Sequence, residues 1–501
     1  MRQYFFCIAL LPLSCFAQNT DGDAVFNANI IHTVELTFDQ PSYWDSLTAN
    51  YITGVDMLAH MSFNGIDFAS VGVQFKGNSS YNGPSDKKPF KIDMNEYVSG
   101  QKIDGLKKFN LNNGFKDPSF VREKLMLDFL NANGVGAPRC AYAKLYINGS
   151  YWGLYTLVEA VDKTFLDNRF NDKTGNLFKG DPQGDVKWYG SSATSYYNHY
   201  ELHTNETVND WTDLIHAVDL VNNTPATLLA DSVHARFKTS HLLRAWAANN
   251  LFVNLDSYLG SGHNYYLYHD SASTEWRWIT WDVNEAFGNF QLGMTVAQLQ
   301  SLAIDYIGGP PNSRPLYQKA LADAVLRSEY ITNLCDLVHN AVDTTVFRLR
   351  ADSLAAVIDD AVLTDTHKFY SYQQFHQNRT QTVSDGMFQI PGVLPFLRAR
   401  IDFLNNALMM EGCITAVTEV ADAAAINLFP VPADDVLWID GATGSQTVEL
   451  IDASGRTVLT SSISGTPSQV ATRALSNGAY ALVLRDRAGL VTTRRSVVVA
   501  H

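Results

Sequence analysis

The chain has 501 residues, 46% of them hydrophobic and 18% charged, and a formal net charge of −14. This length exceeds what one hydrophobic core usually supports, so we expect one large domain and at least one smaller one. The acidic charge and the lack of a long basic run argue against nucleic acid or an anionic membrane surface as a partner, because both are bound by clustered Lys and Arg.

The amino terminus has the pattern of an export signal. Arg2 precedes the apolar run FFCIALLPLSCF, and Phe16 and Ala17 precede the polar run QNTDGD. We predict a signal peptide over residues 1–17 that is cleaved after Ala17. A lipoprotein signal needs a Cys directly after the cleavage site, and Cys15 does not meet this requirement. The apolar run is too short to span a bilayer and no later segment qualifies, so we expect no transmembrane segment in the mature form.

Cleavage of that signal leaves three cysteines in a compartment where disulfides persist, namely Cys140, Cys335 and Cys413. At most one intramolecular bridge can form among them. We favour Cys335 with Cys413, because both flank the same predicted helical region.

The first part of the chain is predicted to be rich in strands, with alternating runs at residues 24–40, 71–76, 88–94 and 109–111. The run SFVREKLMLDFLNANGV has helical spacing, and Asp117 or Ser119 is a suitable cap at its start. Two further strand-like runs meet at Asn148 and Gly149, which is the strongest short-range signal for a β-hairpin.

Helical spacing resumes over residues 211–252 and again over 316–410, with the strand-like runs NYYLYHD and WRWITWDV between them. We therefore predict a single large α+β unit over residues 25–413. Residues 414–425 are rich in small side chains and are predicted to be a linker. Residues 426–501 contain short alternating runs split by turn residues, which is typical of a small all-β, immunoglobulin-like sandwich.

Seven phrases in the large unit resemble, in order, the CotH family of atypical kinases: VGVQFKGNSS, KKPFKIDM, KKFNLNNGFKDPSFVREKLMLDFLNANGVGAPR, LYINGSYWGLYTLVEAVDKTFL, GNLFK, HNYYLY and WRWITWDVNEAFG. The resemblance implies an atypical protein-kinase-like fold. It also implies the use of ATP with Mg²⁺, or with Mn²⁺ as an alternative, to transfer the terminal phosphoryl group to a protein. Ser is the acceptor that we favour.

Phosphoryl transfer requires carboxylates on the metal, cations on the phosphates and a carboxylate that orients the acceptor. Asp282, at the end of the strand-like run WRWITW, is the predicted magnesium ligand, since Mg²⁺ prefers oxygen donors. By analogy with kinases, Asn264 completes the metal shell and Asp256 orients the acceptor hydroxyl. Asn284 stands where the family often has Asp, so it can offer the metal only a neutral carbonyl oxygen.

The phosphates need cationic partners, and Lys91 is our first candidate. Strand alternation places Lys91 on the face opposite Phe90 and Ile92. Lys76 is the second candidate, and the turn that follows it, with Asn78 and Ser79, can offer backbone donors.

Two glutamates complete the predicted site. Glu123 is expected to pair with the phosphate-binding Lys, by analogy with the kinase ion pair. Glu159 is expected either at the adenine hinge or holding Lys163.

The carboxyl-terminal module resembles the type A sorting domain of type IX secretion cargo through LFPVPADD, VELIDASGRTV, ALSNGAYALVL and TRRSVVV. Val431 stands where that family usually has Asn. The resemblance implies the outer-membrane type IX secretion machinery as a partner and a secreted or cell-surface location. A generic adhesion module is the alternative.

Two other functions remain open at this stage. A catalytically weak pseudokinase that acts as a surface scaffold is favoured by the neutral Asn284. An extracellular carbohydrate-binding adhesin is favoured by the 12% aromatic content. Individual residues also have structural interpretations: Asp282 as a strand-end cap, Arg122 and Glu123 as an exposed charged pair, and His263 as a hydrogen-bonding residue.

Overall fold

The computed structural model describes residues 20–26, 30–83, 85–413, 426–442, 445–452, 455–486 and 491–501. The predicted signal peptide and the predicted linker 414–425 lie outside these residues. Among the helices of the described ranges, none combines the length and apolar character needed to cross a membrane.

Seven strands near the amino terminus close into a barrel: β1 Ile31–Thr37, β2 Met57–Phe63, β3 Ile66–Phe75, β4 Phe90–Asp93, β5 Lys108–Asn112, β6 Cys140–Ile147 and β7 Ser150–Glu159. Their order is β1-β2-β3-β4-β5-β7-β6, with β1 and β6 parallel and the other neighbours antiparallel. Alternate residues such as Val73, Phe90 and Ile92 fill the interior. Asn148 and Gly149 both have positive φ, as a two-residue hairpin turn requires, so the predicted hairpin is confirmed.

Four helices accompany the barrel: α1 Asp23–Phe26, α2 Tyr43–Thr53, α3 Ser79–Asn82 and α4 Arg122–Ala132. The predicted helix after Ser119 is therefore confirmed as α4. Its apolar residues, including Leu125, Met126 and Leu130, belong to the core of the helical part of the chain and not to the barrel interior. Helix α4 thus packs with the helical part of the chain.

The second part of the large unit is built on a four-stranded sheet: β8 Leu177–Gly180, β9 Tyr200–Leu202, β10 Tyr265–Asp270 and β11 Glu275–Thr280, in the order β11-β10-β8-β9. Ten helices surround it: α5 Lys163–Phe170, α6 Thr212–Asn223, α7 Leu229–Arg236, α8 Thr239–Leu251, α9 Val296–Gln300, α10 Pro315–Ala322, α11 Ala324–Asp336, α12 Thr344–Thr364, α13 Tyr372–Gln377 and α14 Val393–Met410. Short 3₁₀ turns at Ala193–Ser195 and Ala226–Leu228 and a π-helical turn at Leu337–Ala341 complete the helical elements. The predicted α+β architecture is confirmed.

A two-stranded hairpin, β12 Val383–Asp385 and β13 Phe388–Ile390, precedes α14. The carboxyl-terminal strands are β14 Asn427–Phe429, β15 Val436–Asp440, β16 Ser445–Ile451, β17 Thr457–Ser464, β18 Ser468–Ala471, β19 Gly478–Arg485 and β20 Val491–Val499. They form two antiparallel sheets, β14-β15-β18 and β17-β16-β19-β20. Buried residues of both sheets, such as Leu437 and Leu482, share one core, so the module is all-β as predicted.

A fully buried ion pair links the barrel to the helices. Lys87, just before β4, contacts Asp365, just after α12, and both side chains are inaccessible to solvent. The Lys87 ammonium also lies 5.2 Å from the centre of the Phe120 ring. Asp365 accepts the backbone N–H of Leu154 at 3.0 Å. These contacts fix the end of α12 against β7.

A buried arginine gives a second link. The Arg122 guanidinium donates to Asp117 at 2.5 Å, to Asn378 at 2.7 Å and to the carbonyl of Pro391 at 2.5 Å. Asp117 also accepts the backbone N–H of Arg122 at 3.0 Å and so caps the first turn of α4. Arg122 is therefore a buried anchor and not part of an exposed charged pair.

The disulfide prediction is also confirmed. Cys335 in α11 is bonded to Cys413 after α14, with their Cα atoms 6.2 Å apart. Cys140 is a buried free thiol.

Candidate active site

Asn264 and Asp282 lie at the same end of the β10–β11 hairpin. Tyr265 pairs with Thr280, and the backbone N–H of Trp281 donates to the carbonyl of Asn264 at 3.1 Å. Both Asn264 (φ 61°) and Asp282 (φ 52°) adopt the left-handed conformation, which Asn and Asp tolerate better than most residues. The hairpin therefore places two oxygen-bearing side chains at one edge of the sheet.

Asp256 is held beside Asn264 by several hydrogen bonds. The Asn264 amide donates to Asp256 Oδ2 at 3.0 Å and to the Asp256 carbonyl at 2.9 Å. Asp256 Oδ1 accepts from Ser261 at 3.1 Å and is 2.7 Å from His263 Nε2. These contacts fix the orientation of the carboxylate next to the hairpin end.

His263 was open to a purely structural interpretation, and the structure brings it into contact with this carboxylate. Its Nδ1 lies 3.2 Å from the carbonyl of Pro182. Burial lowers the pKa of His263, but the hydrogen bond to Asp256 and the charge of that carboxylate outweigh burial, so the pKa is raised. His263 therefore tends to carry a positive charge against Asp256.

On the barrel side of the site, one amide joins a lysine to a glutamate. Lys76 Nζ donates to Asn112 Oδ1 at 2.9 Å, and Asn112 Nδ2 donates to the Glu123 carboxylate at 3.0 and 3.3 Å. Lys76 follows β3, Asn112 ends β5 and Glu123 lies in the first turn of α4. Lys76 Nζ is also 5.3 Å from the centre of the Trp281 ring, next in the chain to Asp282. The two halves of the site thus meet at Lys76.

The charges of these groups act on one another. Burial lowers the pKa of Lys76, and the negative charges of Asp282 and Glu123 oppose this shift. Burial and then the charge of Asp282 raise the pKa of Glu123 to about 8. Burial also raises the pKa of Asp282, which Lys76 opposes. Burial thus disfavours the charged forms of Asp282 and Glu123, and a divalent cation beside Asp282 would favour the charged form of that carboxylate.

Lys91, the first candidate for the phosphates, lies outside this cluster. Its strand neighbours are Gln74 on β3 and Asn110 on β5, whereas Asn112 lies two residues farther along β5. At roughly 3.3 Å per residue, this separates the Lys91 row from the Lys76 row by about 7 Å. The charge of Lys91 acts instead on Asp56, where it opposes the burial that raises the pKa of that carboxyl group. Lys91 therefore lies in the row of Gln74 and Asn110, two residues along the strands from the cluster around Lys76.

The turn after Lys76 is exposed at Asn78 and Ser79. Gly77 has φ 82°, and a Cβ there would lie 2.3 Å from the Ser80 hydroxyl oxygen, so the turn requires glycine. Asn78 Oδ1 accepts from the amide of Asn82 at 2.9 Å within the short helix α3. Neither Asn78 nor Ser79 contacts Asp282 or Asn264.

Glu159 is buried at the end of β7 and is held by two arginines. It contacts Arg139 at 2.5 Å and Arg169 at 3.1 Å, while Lys163 instead reaches Asn205 at 3.5 Å. Both arginines also line a cavity of about 630 Å³ against the outer face of α4. Neither the cavity nor Glu159 contacts the cluster around Lys76.

The segment after Asp282 is tied to the loop before α4. Asn284 donates its amide to the carbonyl of Phe115 at 2.9 Å, and Asn289 donates to the carbonyl of Lys116 at 2.5 Å. Between them, Glu285 is buried, and burial followed by the charge of Asp256 raises its pKa to about 8. Asn284 therefore has a structural partner, and the acidic residue that faces the site is Glu285.

Three residues at the site were not predicted: Asn112, Lys179 and Glu285. Lys179 in β8 pairs with Tyr266 in β10, and its charge acts on both Asp282 and Lys76. It also contacts Asp181 at 2.5 Å. Lys179 and Glu285 lie within the phrases GNLFK and WDVNEAFG. Their charge and their position in these phrases could have predicted them as site residues. Asn112 is uncharged and offered no such signal.

The donor atoms at the hairpin end suit a magnesium ion, which prefers carboxylate and carbonyl oxygens. The Asp282 carboxylate accepts no hydrogen bond from any residue in the described ranges. Asn264 uses its amide N–H₂ on Asp256, and its Oδ1 likewise has no partner among those residues. Asp282 and Asn264 are therefore the residues that would hold the metal, and Mg²⁺ there would neutralise phosphate charge.

Two family models match the chain. The model described as CotH kinase protein covers residues 73–386, more than half of the chain. The chain belongs to the CotH kinase family. The model described as secretion system C-terminal sorting domain covers residues 427–499, so the carboxyl-terminal module is a sorting domain, which implies a secreted or cell-surface protein.

Two curated proteins are similar to the CotH kinase part. Inner spore coat protein H of Bacillus subtilis (strain 168) is 27% identical over 207 residues, which are 40% of this chain and 54% of that protein. Invasin CotH2 of Rhizopus delemar is 23% identical over 385 residues, which are 71% of this chain and 63% of that protein. The chain thus spans less than two thirds of the length of either relative.

Two solved structures show weak likeness. The Helicobacter pylori proinflammatory kinase CtkA has 10% identity and a TM-score of 0.27, over 71% of this chain and 92% of that chain. PorZ, a surface component of the type IX secretion system of Porphyromonas gingivalis, has 18% identity and a TM-score of 0.14, over 18% of this chain and 13% of that chain. TM-scores this low do not establish a shared fold.

Proposed function

We propose that the CotH kinase domain transfers the terminal phosphoryl group of ATP to a protein hydroxyl, with Ser as the favoured acceptor and Mg²⁺ or Mn²⁺ as the metal. The observation that carries the proposal is the arrangement at one hairpin end, where Asn264 is hydrogen-bonded to Trp281, the residue before Asp282, and its side chain is hydrogen-bonded to Asp256. Phosphoryl transfer is mostly a matter of positioning and charge neutralisation, and this arrangement supplies both.

Each residue has a role in this proposal. The acceptor oxygen attacks the terminal phosphorus, the bond from that phosphorus to the bridging oxygen breaks, and ADP leaves. Asp256 orients the acceptor hydroxyl and takes its proton. Lys76 contacts the phosphates, and Glu123 positions Lys76 through the amide of Asn112. Lys179 adds a second positive charge that acts on Asp282.

The test is phosphate incorporation by the purified full chain with γ-labelled ATP and Mg²⁺. Asp282→Ala should lower labelling of the protein itself by at least about 100-fold, because the metal loses its carboxylate ligand. Asp402→Ala, on the exposed surface of α14, is the matched control and should label as the wild type does. Equal labelling by Asp282→Ala and the wild type would contradict the proposal.

A nucleotide-binding scaffold with little catalysis is the second candidate, and the engagement of Asn284 by Phe115 favours it, since one carboxylate of the usual metal pair is missing. ATP with Mg²⁺ should raise the melting temperature of either an active kinase or a binder, because a ligand of the native state stabilises it. Stabilisation without labelling would support the scaffold. If ATP neither stabilises the protein nor labels it, ATP is not supported as the ligand.

For the sorting domain, we propose the type IX secretion machinery of the outer membrane as the partner, on the family match at residues 427–499. Deleting residues 426–501 in a host that has this machinery should keep the CotH kinase domain inside the cell envelope. Fractionation of cells and medium measures the outcome, and release of the truncated chain in normal amounts would contradict the proposal.

A further inference from the structure

The hairpin formed by β12 and β13 ends in an exposed apolar tip, which consists of Met387 and Phe388. Asp385 pairs with Phe388 across a two-residue turn, and Gly386 has φ 60°. Met387 is 96% exposed and Phe388 59% exposed. Met387 and Phe388 together offer a small apolar contact surface at the end of the hairpin.

The tip is anchored to the loop before α4. Lys116 Nζ lies 5.3 Å from the centre of the Phe388 ring and 3.9 Å from Asp385 Oδ2. Tyr370 donates to the same Asp385 oxygen at 3.0 Å. A cation over an aromatic face and a half-buried hydroxyl donor hold the hairpin in one orientation.

The same loop is anchored to the proposed active site. The carbonyl of Lys116 accepts from Asn289, and the carbonyl of its neighbour Phe115 accepts from Asn284, so the loop is bound twice to the segment that follows Asp282. On the other side, Gln291 donates to the carbonyl of Gln389 in β13. The apolar tip is thus connected to the Asp282 segment through short chains of contacts on both sides.

The size of the tip indicates what covers it. A stable contact between two copies of a protein buries about 800 Å² on each partner, which two side chains cannot supply. The net charge of −14 disfavours an anionic membrane surface. A single large apolar side chain from an extended segment fits the available surface, since Met adapts its shape to varied partners and Phe provides a flat face.

We propose that the apolar tip binds a large apolar side chain of the acceptor protein, within a few residues of the hydroxyl that receives the phosphoryl group. This inference rests on the proposed kinase function and adds a substrate preference to it. The contacts that fix the tip relative to Asp282 would then fix the distance in the acceptor between the apolar residue and the hydroxyl.

The probe is a library of Ser-centred peptides in which each flanking position is fixed in turn as each amino acid. With the full chain, ATP and Mg²⁺, the wild type should prefer Leu, Met or Phe over Ala at one flanking position by about tenfold, the usual discrimination for a buried apolar group. The double variant Met387→Ser, Phe388→Ser should lose most of this preference while keeping the rise in melting temperature that ATP and Mg²⁺ cause in the wild type.

The matched control is Met409→Ser, Met410→Ser, which removes two adjacent side chains that are 63% and 88% exposed. It should keep the preference. A preference that survives in the tip variant, or a wild type that labels itself but shows no apolar preference, overturns the inference alone. Failure of the wild type to label itself or any peptide overturns the proposed function as well.

Two further measurements exclude other occupants. Sedimentation velocity of the wild type and the tip variant should show the same mass, and a dimer lost in the variant would assign the tip to a second copy. Co-sedimentation with vesicles of phosphatidylcholine and phosphatidylglycerol should be absent for both. Vesicle binding by the wild type that the tip variant loses would overturn the inference in favour of a lipid surface.

Discussion

Lys76 and Glu123 face each other across the amide of Asn112, which accepts from one at 2.9 Å and donates to the other at 3.0 Å. In ordinary protein kinases the phosphate-binding lysine forms a direct ion pair with a glutamate. Burial and then the charge of Asp282 raise the pKa of Glu123 to about 8, although the hydrogen bond from Asn112, the neutral spacer between the two residues, opposes this shift. In the proposed mechanism, Lys76 contacts the phosphates and Glu123 acts on it only through this amide.

The first prediction concerns this spacer. Asn112→Leu keeps the volume of the side chain but removes both hydrogen bonds, so it leaves two buried polar groups without partners. We expect a loss of about 1–3 kcal/mol in the free energy of unfolding, measured by urea denaturation. We also expect at least a tenfold loss of self-labelling, since Lys76 is no longer positioned.

Asn406→Leu on the exposed side of α14 serves as its control and should change neither quantity. Full activity in Asn112→Leu would show that Lys76 does not need the amide.

The second prediction concerns pH and follows from Glu123. Its ordinary pKa of 4.5 rises to about 8 in the folded protein, so the folded state holds a proton that the unfolded state releases between these values. Because the folded state binds more protons there, this residue makes the free energy of unfolding fall as pH rises from about 5 to about 8. Glu123→Gln should therefore be more stable relative to the wild type at pH 8.5 than at pH 5.

Denaturation curves of both proteins across that range, without Mg²⁺, measure the difference. Glu206→Gln, at an exposed position, should track the wild type at every pH. A constant difference between Glu123→Gln and the wild type would mean that Glu123 does not change its proton occupancy on folding.

The third prediction concerns the buried pair of Lys87 and Asp365. Lys87→Met leaves a buried carboxylate without its counter-charge. It should lower the free energy of unfolding by about 3–5 kcal/mol. Adding Asp365→Asn removes that charge and should restore part of the loss. Lys144→Met breaks a pair whose partner Asp360 is 79% exposed, and it should cost less than about 1 kcal/mol. Equal losses in the free energy of unfolding for Lys87→Met and Lys144→Met would contradict the assignment of Lys87 and Asp365 as a buried ion pair.

The fourth prediction separates catalysis from binding. Asp256→Asn should lower self-labelling by about 100-fold or more, because the acceptor proton has no base. The rise in melting temperature with ATP and Mg²⁺ should be retained, since Asp256 contacts neither nucleotide nor metal in the proposal. Ser261→Ala removes one hydrogen bond to the same carboxylate and should cost only a few-fold in labelling. If Asp256→Asn loses the rise in melting temperature with ATP and Mg²⁺, Asp256 would instead be assigned as a metal ligand.

Much of the fold could be predicted because local patterns determined it. The turn at Asn148 and Gly149, the helical spacing of α4 and the alternation of Phe90 and Ile92 each follow from a few adjacent residues. The strand ends at Asn264 and Asp282 were equally local.

The choice between lysines was not local. Lys76 and Lys91 lie on the same face of the barrel, and only the pairing register of β3, β4 and β5 shows which row is next to α4. Asn112 carries no charge, and Arg122 next to Glu123 looked like a surface pair although both side chains are buried. The choice of lysine, the role of Asn112 and the burial of Arg122 and Glu123 all depend on contacts between distant segments. A short sequence pattern does not contain these contacts.

Lys87 and Asp365 are separated by 278 residues, and this has a consequence for dissecting the protein. A fragment that ends after the barrel, near residue 160, would lack the carboxylate that pairs with the buried Lys87 ammonium. Such a fragment would therefore expose Lys87 by opening the strand end before β4, or would remain unfolded. The buried Lys87 ammonium therefore gains its counter-charge only when Asp365 packs against the barrel.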